Sequence, residues 1–548
     1  MAPMGRALRA PWPGGPAEGL LSADDEAHLS WSPVLPAAPP PQPPIKALLQ
    51  FLVQPGEGQP VSPTLQCITA LTICFFTICL LIVLARLTRT QIVTRCGGSS
   101  EGEPAQRLKT FETALSEGTK ALAPAPMLCI VLVSARLRAM QLDPVRGDPQ
   151  RWAQVCMYVG TCTFFSRLLL EMASGALGAA ASFAQRRAIR VTRVVTSITV
   201  YGTCGAIVAS MIFIRAPSAL VQPSFPVPLR CVIVVAVAYF VELAVLEAAS
   251  LKPGGSVMDA TRQEDCDGIE NAALQFPSML CVLQVGITMR GLQLSLQPPI
   301  WACGAMLLST CAVVAQVALA GANLFLVGKF QKKSLKEQPG LIGTIATVSH
   351  LVLIACLCVG AALTLVSVFA MEEHPLGILW PQAADGGRWH EAEAAPLSTT
   401  MTCMTLLAVL YFSVKLWLMA AGLVFAPLRD WASAALVCVE KSLVFTPMLC
   451  LMMVCVRLRA MQLKVRDPQP WAQATMRVAT FSILVQVICS LMWPTTPQDK
   501  KGGFEADTAT PVGKAAMLLI LVLKFAASAT LFVTVAMLIV ALFTMEPR

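Results

Sequence analysis

Apolar stretches of about the length of a membrane crossing recur twelve times along the chain, at about 65–85, 121–142, 153–174, 194–214, 229–250, 272–294, 301–321, 341–371, 399–426, 442–463, 472–493 and 513–545. A helix needs roughly 20 apolar residues to cross a hydrocarbon core of ~30 Å. Only Arg167, Lys415, Arg477 and Lys524 among the 41 basic residues fall well inside these stretches. Lipid demands that partition, because a bare charge at membrane depth is costly. Composition agrees: 13% of residues are charged, where a soluble domain carries about 25%. The expected fold is therefore an all-α integral membrane protein, multi-pass, with about twelve transmembrane helices and the lipid bilayer as its first partner. The sequence does not say which membrane.

A motif recurs three times. Pro126-Met-Leu-Cys leads to Arg136-Leu-Arg-Ala-Met-Gln-Leu142, and Pro447-Met-Leu-Cys leads to Arg457-Leu-Arg-Ala-Met-Gln-Leu463. A weaker copy runs from Ser278-Met-Leu-Cys to Met289-Arg-Gly-Leu-Gln-Leu294. Counted from Met127, Met279 and Met448, position +11 is Arg138, Arg290 and Arg459, and position +14 is Gln141, Gln293 and Gln462. A Pro three residues before a Trp follows each copy, giving Trp152, Trp301 and Trp471. Fixed spacing over so many positions is the signature of internal repetition. It predicts three parallel four-helix repeats, 63–217, 218–397 and 398–548, behind a Pro/Ala-rich flexible tail, 1–62. Four crossings is an even number, so all three units point the same way, with the pseudo-axis along the membrane normal.

Physical roles are available for most motif positions without invoking activity. Arg at +11 closes an apolar run and is expected to snorkel its guanidinium among headgroups. Pro suits a helix start, and Trp suits the interfacial belt. The Gln at +14 has no such role. Loops on the side of 86–123, 175–193, 251–276, 322–340, 427–445 and 494–514 carry 21 basic residues against 16 opposite, which favours that side as cytoplasmic.

Polar groups inside the apolar stretches are the candidate functional residues. Fifteen residues after the three Trp residues stand Arg167, Gln316 and Gln486, near the middle of their helices. Glu171 lies one turn beyond Arg167 and is expected to pair with it. Glu242 and Lys415 follow Tyr239-Phe240 and Tyr411-Phe412. Aligning Phe369-Ala-Met371 with Phe543-Thr-Met545 sets His350 opposite Lys524, with Arg193 near the same place in the first unit. One expectation is that these groups converge between helices as a polar path conducting an ion or small solute. The alternative is a non-transporting scaffold or assembly protein, in which they are interhelical glue and Glu242 meets Lys415 or Lys524.

Other chemistries lack their residues. There is no phosphate-binding G-x-x-x-x-G-K-[ST] and no H-E-x-x-H. The 20 Cys lie mostly in apolar runs without a C-x-x-C, so neither a disulfide framework nor a metal site is expected. No concentrated basic patch speaks for nucleic acid. An enzyme is not expected, and neither is a cofactor.

Overall fold

The computed structural model describes residues 61–95, 103–142, 149–177, 182–213, 225–250, 276–292, 298–329, 341–370, 398–424, 429–463, 465, 467–492 and 511–545. The tail 1–60 lies outside them. The described residues form helices and no strand. In chain order these are α1 (Pro63–Arg95), α2 (Glu103–Leu122), α3 (Ala125–Leu142), α4 (Arg151–Leu177), α5 (Phe183–Phe213) and α6 (Val227–Ser250). Next come α7 (Phe276–Leu292), α8 (Ile300–Lys329), α9 (Leu341–Ala370), α10 (Thr399–Val424) and α11 (Arg429–Leu443). The chain then runs through α12 (Phe445–Gln462), α13 (Pro470–Met492) and α14 (Pro511–Thr544).

Among the described residues ten helices are long and apolar enough to cross a membrane, and Phe276–Leu292 and Val352–Ser367 are shorter apolar helices. The outer helices turn large apolar side chains away from the protein, among them Leu169, Ile198, Val241, Leu406, Phe481 and Val533. An apolar surface of this extent is stable only against lipid, and helices satisfy their own backbone groups there. The chain is an integral multi-pass membrane protein.

Two segments expected to be plain loops contain helices. α2 lies in 86–123 and α11 in 427–445, both amphipathic. Each ends four residues before a proline, at Leu122 before Pro126 and at Leu443 before Pro447. Proline lacks an N–H and its ring collides with the carbonyl four residues earlier, so each helix breaks there and restarts as α3 or α12. The basic cluster Arg186, Arg187, Arg190 and Arg193, expected in a loop, likewise belongs to the first turns of α5.

The restarted helices occupy the centre. Residues 125–139 of α3 and 446–460 of α12 are all buried, as is every position of α7 from Phe276 to Gly291. A helix buried all round is enclosed by protein and not by lipid. α3 packs on α12, and around them α1 packs on α12 and α14, α6 on α3 and α5, and α10 on α9 and α12. Aromatic pairs mark the seams. Phe75 and Phe76 of α1 meet Phe445 at the start of α12. Tyr411 and Phe412 of α10 meet Phe276 at the start of α7. Tyr239 of α6 donates a hydrogen bond to the carbonyl of Ala123, in the break before α3, at 3.1 Å.

Candidate functional site

The central helices end in arginines, and these are enclosed by protein. Arg136 and Arg138 of α3, Arg290 of α7, and Arg457 and Arg459 of α12 are each at most 4% exposed. Snorkelling, the expectation from sequence, is therefore replaced by enclosure: the helices that carry these residues are covered by protein on every side. Lengthwise the position is sensible, because carbonyls at a helix C-terminus present partial negative charge to cations.

Neighbours fix the arginines individually. Arg138 Nη1 donates to Gln141 Oε1 at 2.6 Å, and Arg459 Nη1 donates to Gln462 Oε1 at 3.2 Å. This gives the Gln at +14 its physical role, as an acceptor one turn on that orients the guanidinium. Gln293, the third member, lies outside the described residues. Arg138 also stacks on the ring of Phe225, 4.8 Å from its centroid. Arg457 Nη1 bridges to Asp467 Oδ1 at 3.1 Å. Across helices, Arg457 is within electrostatic reach of Arg290 and Arg459 of Arg136, while Arg138 neighbours Arg230 of α6. Five buried arginines thus lie in the last turns of the three central helices, with α12 facing α7 through Arg457 and Arg290 and α3 through Arg459 and Arg136.

The polar residues of the Trp-started helices lie elsewhere, in separate helix pairs. On α4, Arg167 donates to Tyr201 Oη of α5 at 3.1 Å. Glu171, the partner that the one-turn spacing predicts for Arg167, takes a salt bridge from Arg193 of α5, which brings a second cation alongside. On α13, Gln486 donates to Ser528 Oγ of α14 at 3.4 Å. Lys524, half-buried on α14, lies within electrostatic reach of Cys489. Gln316 of α8 is 6% exposed and its Nε2 has no hydrogen-bond partner. The alignment that sets His350 opposite Lys524 sets Ile354 where Ser528 stands, so α9 lacks the hydroxyl that α14 supplies. The side chain of His350 lies outside the described residues.

The close approach between these helix pairs shares one register. A Cβ on Gly160 of α4 would come 2.7 Å from Thr203 Oγ1, and a Cβ on Gly360 of α9 would come 2.6 Å from Ser309 Cβ. Gly160 and Ser309 lie eight residues after Trp152 and Trp301, and Thr203 and Gly360 lie ten after Arg193 and His350. One small residue on either side lets two helices touch.

Lys415 of α10 is 1% exposed. It bridges to Glu440 of α11 at 3.4 Å, and its Nζ lies 4.6 Å above Phe276 and 5.0 Å above Tyr411. Glu242, the partner expected for it, is buried on α6. Adjacent helices along the chain supplied the nearer carboxylate. Trp152 and Trp301 point outward, 43% and 41% exposed, and Trp471 is half-buried.

The described cysteines form no disulfide with one another. Among the described residues no group of His, Cys, Asp or Glu could hold a metal ion. No family model matches the chain, and no curated protein matches it either.

Proposed function

We propose that the protein is a non-conducting, non-catalytic membrane scaffold, built as three four-crossing units, 63–217, 218–397 and 398–548, closed into a ring. The filled centre carries this reading. α3, α7 and α12 bury Met, Leu, Cys and Val side chains along the axis, so a solute would have to displace close-packed apolar groups there.

Ring closure is supported by the seams. α5 meets α6, α9 meets α10 and α14 meets α1, which is the last helix of each unit against the first of the next. The aromatic pair of each opening helix sits at the start of the preceding unit's central helix. The ten long apolar helices and the two shorter ones also fall on the twelve stretches read from sequence. The polar groups at Arg167 and Gln486 act as interhelical contacts within their own units, each worth about 0.6–2 kcal/mol.

Reconstitution tests the reading. Liposomes containing the purified protein should leak potassium, chloride and small neutral solutes no faster than empty ones. A second reading, conduction along the α8–α9 seam, is favoured by the unpartnered amide nitrogen of Gln316. Under it, flux would be measurable and Gln316→Leu would abolish it.

A further inference from the structure

We propose that the outward face of α5 holds an anionic phospholipid, its phosphate headgroup at Arg187 and Arg190 and its acyl tail along the helix towards Gly202. Reciprocal hydrogen bonds between Ser182 and Gln185, at 2.8 and 3.2 Å, cap the start of α5. Arg186, Arg187, Arg190 and Arg193 are thereby wound into its first three turns. Cations at that end work against the helix dipole, and no acidic residue stands in the first turn. Arg193 turns to Glu171 of α4. Glu171 is the one acidic residue between Arg151 and Val241, a stretch with eight arginines. α2, which packs on α4, carries three residues of each sign.

The three units show that Arg187 and Arg190 do not belong to the repeat. With Arg193, His350 and Lys524 in register, Val191, Val348 and Val522 coincide, and they are 56%, 52% and 54% exposed. The last helix of each unit thus turns the same face to lipid. In that register Arg187 corresponds to Thr344 and Leu518, and Arg190 to Thr347 and Leu521. Leu518 and Leu521 are exposed, so lipid covers these positions in the third unit, where the first unit places guanidinium groups. Arg187 and Arg190 are exposed too. They stand one turn apart, about 5–6 Å between Cβ atoms, which lets both reach one phosphate. Below Arg187 the same face continues through Val191, Val195 and Ile198, all exposed.

That face also has room for a tail. Gly202 corresponds to Val359 and Val533, both exposed. A Cβ on Gly202 or Gly205 would meet nothing within 4 Å, so neither glycine serves a close approach between helices of the protein. Glycine lowers helix stability relative to valine or alanine, yet the position of Gly202 is glycine in the unit that carries the arginines and valine in the other two. Gly202 lies twelve residues after Arg190, ~18 Å along the axis, near the middle of a ~30 Å core, where acyl tails end. The planar fork of guanidinium bonds two phosphate oxygens, and basic clusters at the end of a crossing helix attract anionic lipid. Charge above and space below on one helix face fit a lipid better than a soluble anion. The site draws on the register of the units and not on whether the bundle conducts.

The test uses the full-length protein, purified in detergent without phosphate or added lipid. Native mass spectrometry after exposure to mixed phosphatidylglycerol and phosphatidylcholine vesicles reads retained lipid. Wild type should retain phosphatidylglycerol over phosphatidylcholine. Arg187→Gln and Arg190→Gln should each weaken that preference about fivefold, and Arg187→Lys with Arg190→Lys should keep most of it. Both side chains are exposed, so these variants should fold as wild type does. Arg151→Gln, which removes an exposed arginine at the start of α4, should leave the preference unchanged. Gly202→Val, the residue of the other two units, should lower retention without altering charge. No preference in wild type, or an equal loss in Arg151→Gln, would overturn the proposal. So would stabilisation against heat by inorganic phosphate alone, over chloride at matched ionic strength, combined with full lipid retention by Gly202→Val; that pair of results would assign a free oxyanion.

Discussion

Gln316 and Gln486 occupy the same position in their units, yet a single residue on the facing helix gives them opposite energetics. Gln486 finds Ser528, whereas Gln316 faces a helix with Ile354 at that place. An unsatisfied buried amide costs about 1–3 kcal/mol, while a made hydrogen bond contributes about 0.5–1.5 kcal/mol. Gln316→Met should therefore raise the midpoint of thermal unfolding in detergent, and Gln486→Met should lower it. A shift of the same sign in both would show that the amides are equivalent. Lys415 offers a stronger contrast. Glu440→Leu takes the carboxylate away from a buried ammonium, at a cost of about 3–5 kcal/mol, and adding Lys415→Met should recover most of the loss. Denaturation of both variants against wild type measures that recovery.

At the scale of the helix, the solvent made the fold legible. Lipid fixes how long an apolar stretch must be, so the crossing helices stand out in the sequence. What it hid were the breaks at Pro126 and Pro447, because the residues on both sides are apolar and the pattern continues through them. It also hid which arginines are enclosed, since an apolar face looks alike whether it meets lipid or protein. The Gln at +14 was legible as unexplained, and its hydrogen bond to Arg needed coordinates. Packing between elements yields its own prediction: Gly360→Ala would push a methyl against Ser309 and the carbonyl of Ala305. Overpacking of this kind costs about 1–3 kcal/mol. The variant should unfold earlier on heating, and Ser309→Gly combined with it should restore part of the difference.

For the molecule as a whole, polar residues that sequence spacing grouped as one path fall in separate helix pairs: Arg167 with Tyr201, Gln486 with Ser528 and Lys415 with Glu440. The proposed ring can be checked at the seam between its first and last units. Phe76 of α1 lies 6.0 Å from Phe532 of α14, centroid to centroid. A photo-reactive benzoylphenylalanine at position 76 should cross-link to α12 or α14 peptides, identified by mass spectrometry. Recovery of cross-links only within α1–α5 would open the ring.

The seam between α14 and α1 has a further consequence. Helices from opposite ends of the sequence hold one another through the same kind of contact that joins neighbours elsewhere, so adhesion between segments does not depend on the peptide bonds linking them. Two polypeptides produced together, divided within 371–397, should find each other in the bilayer and co-purify as one particle.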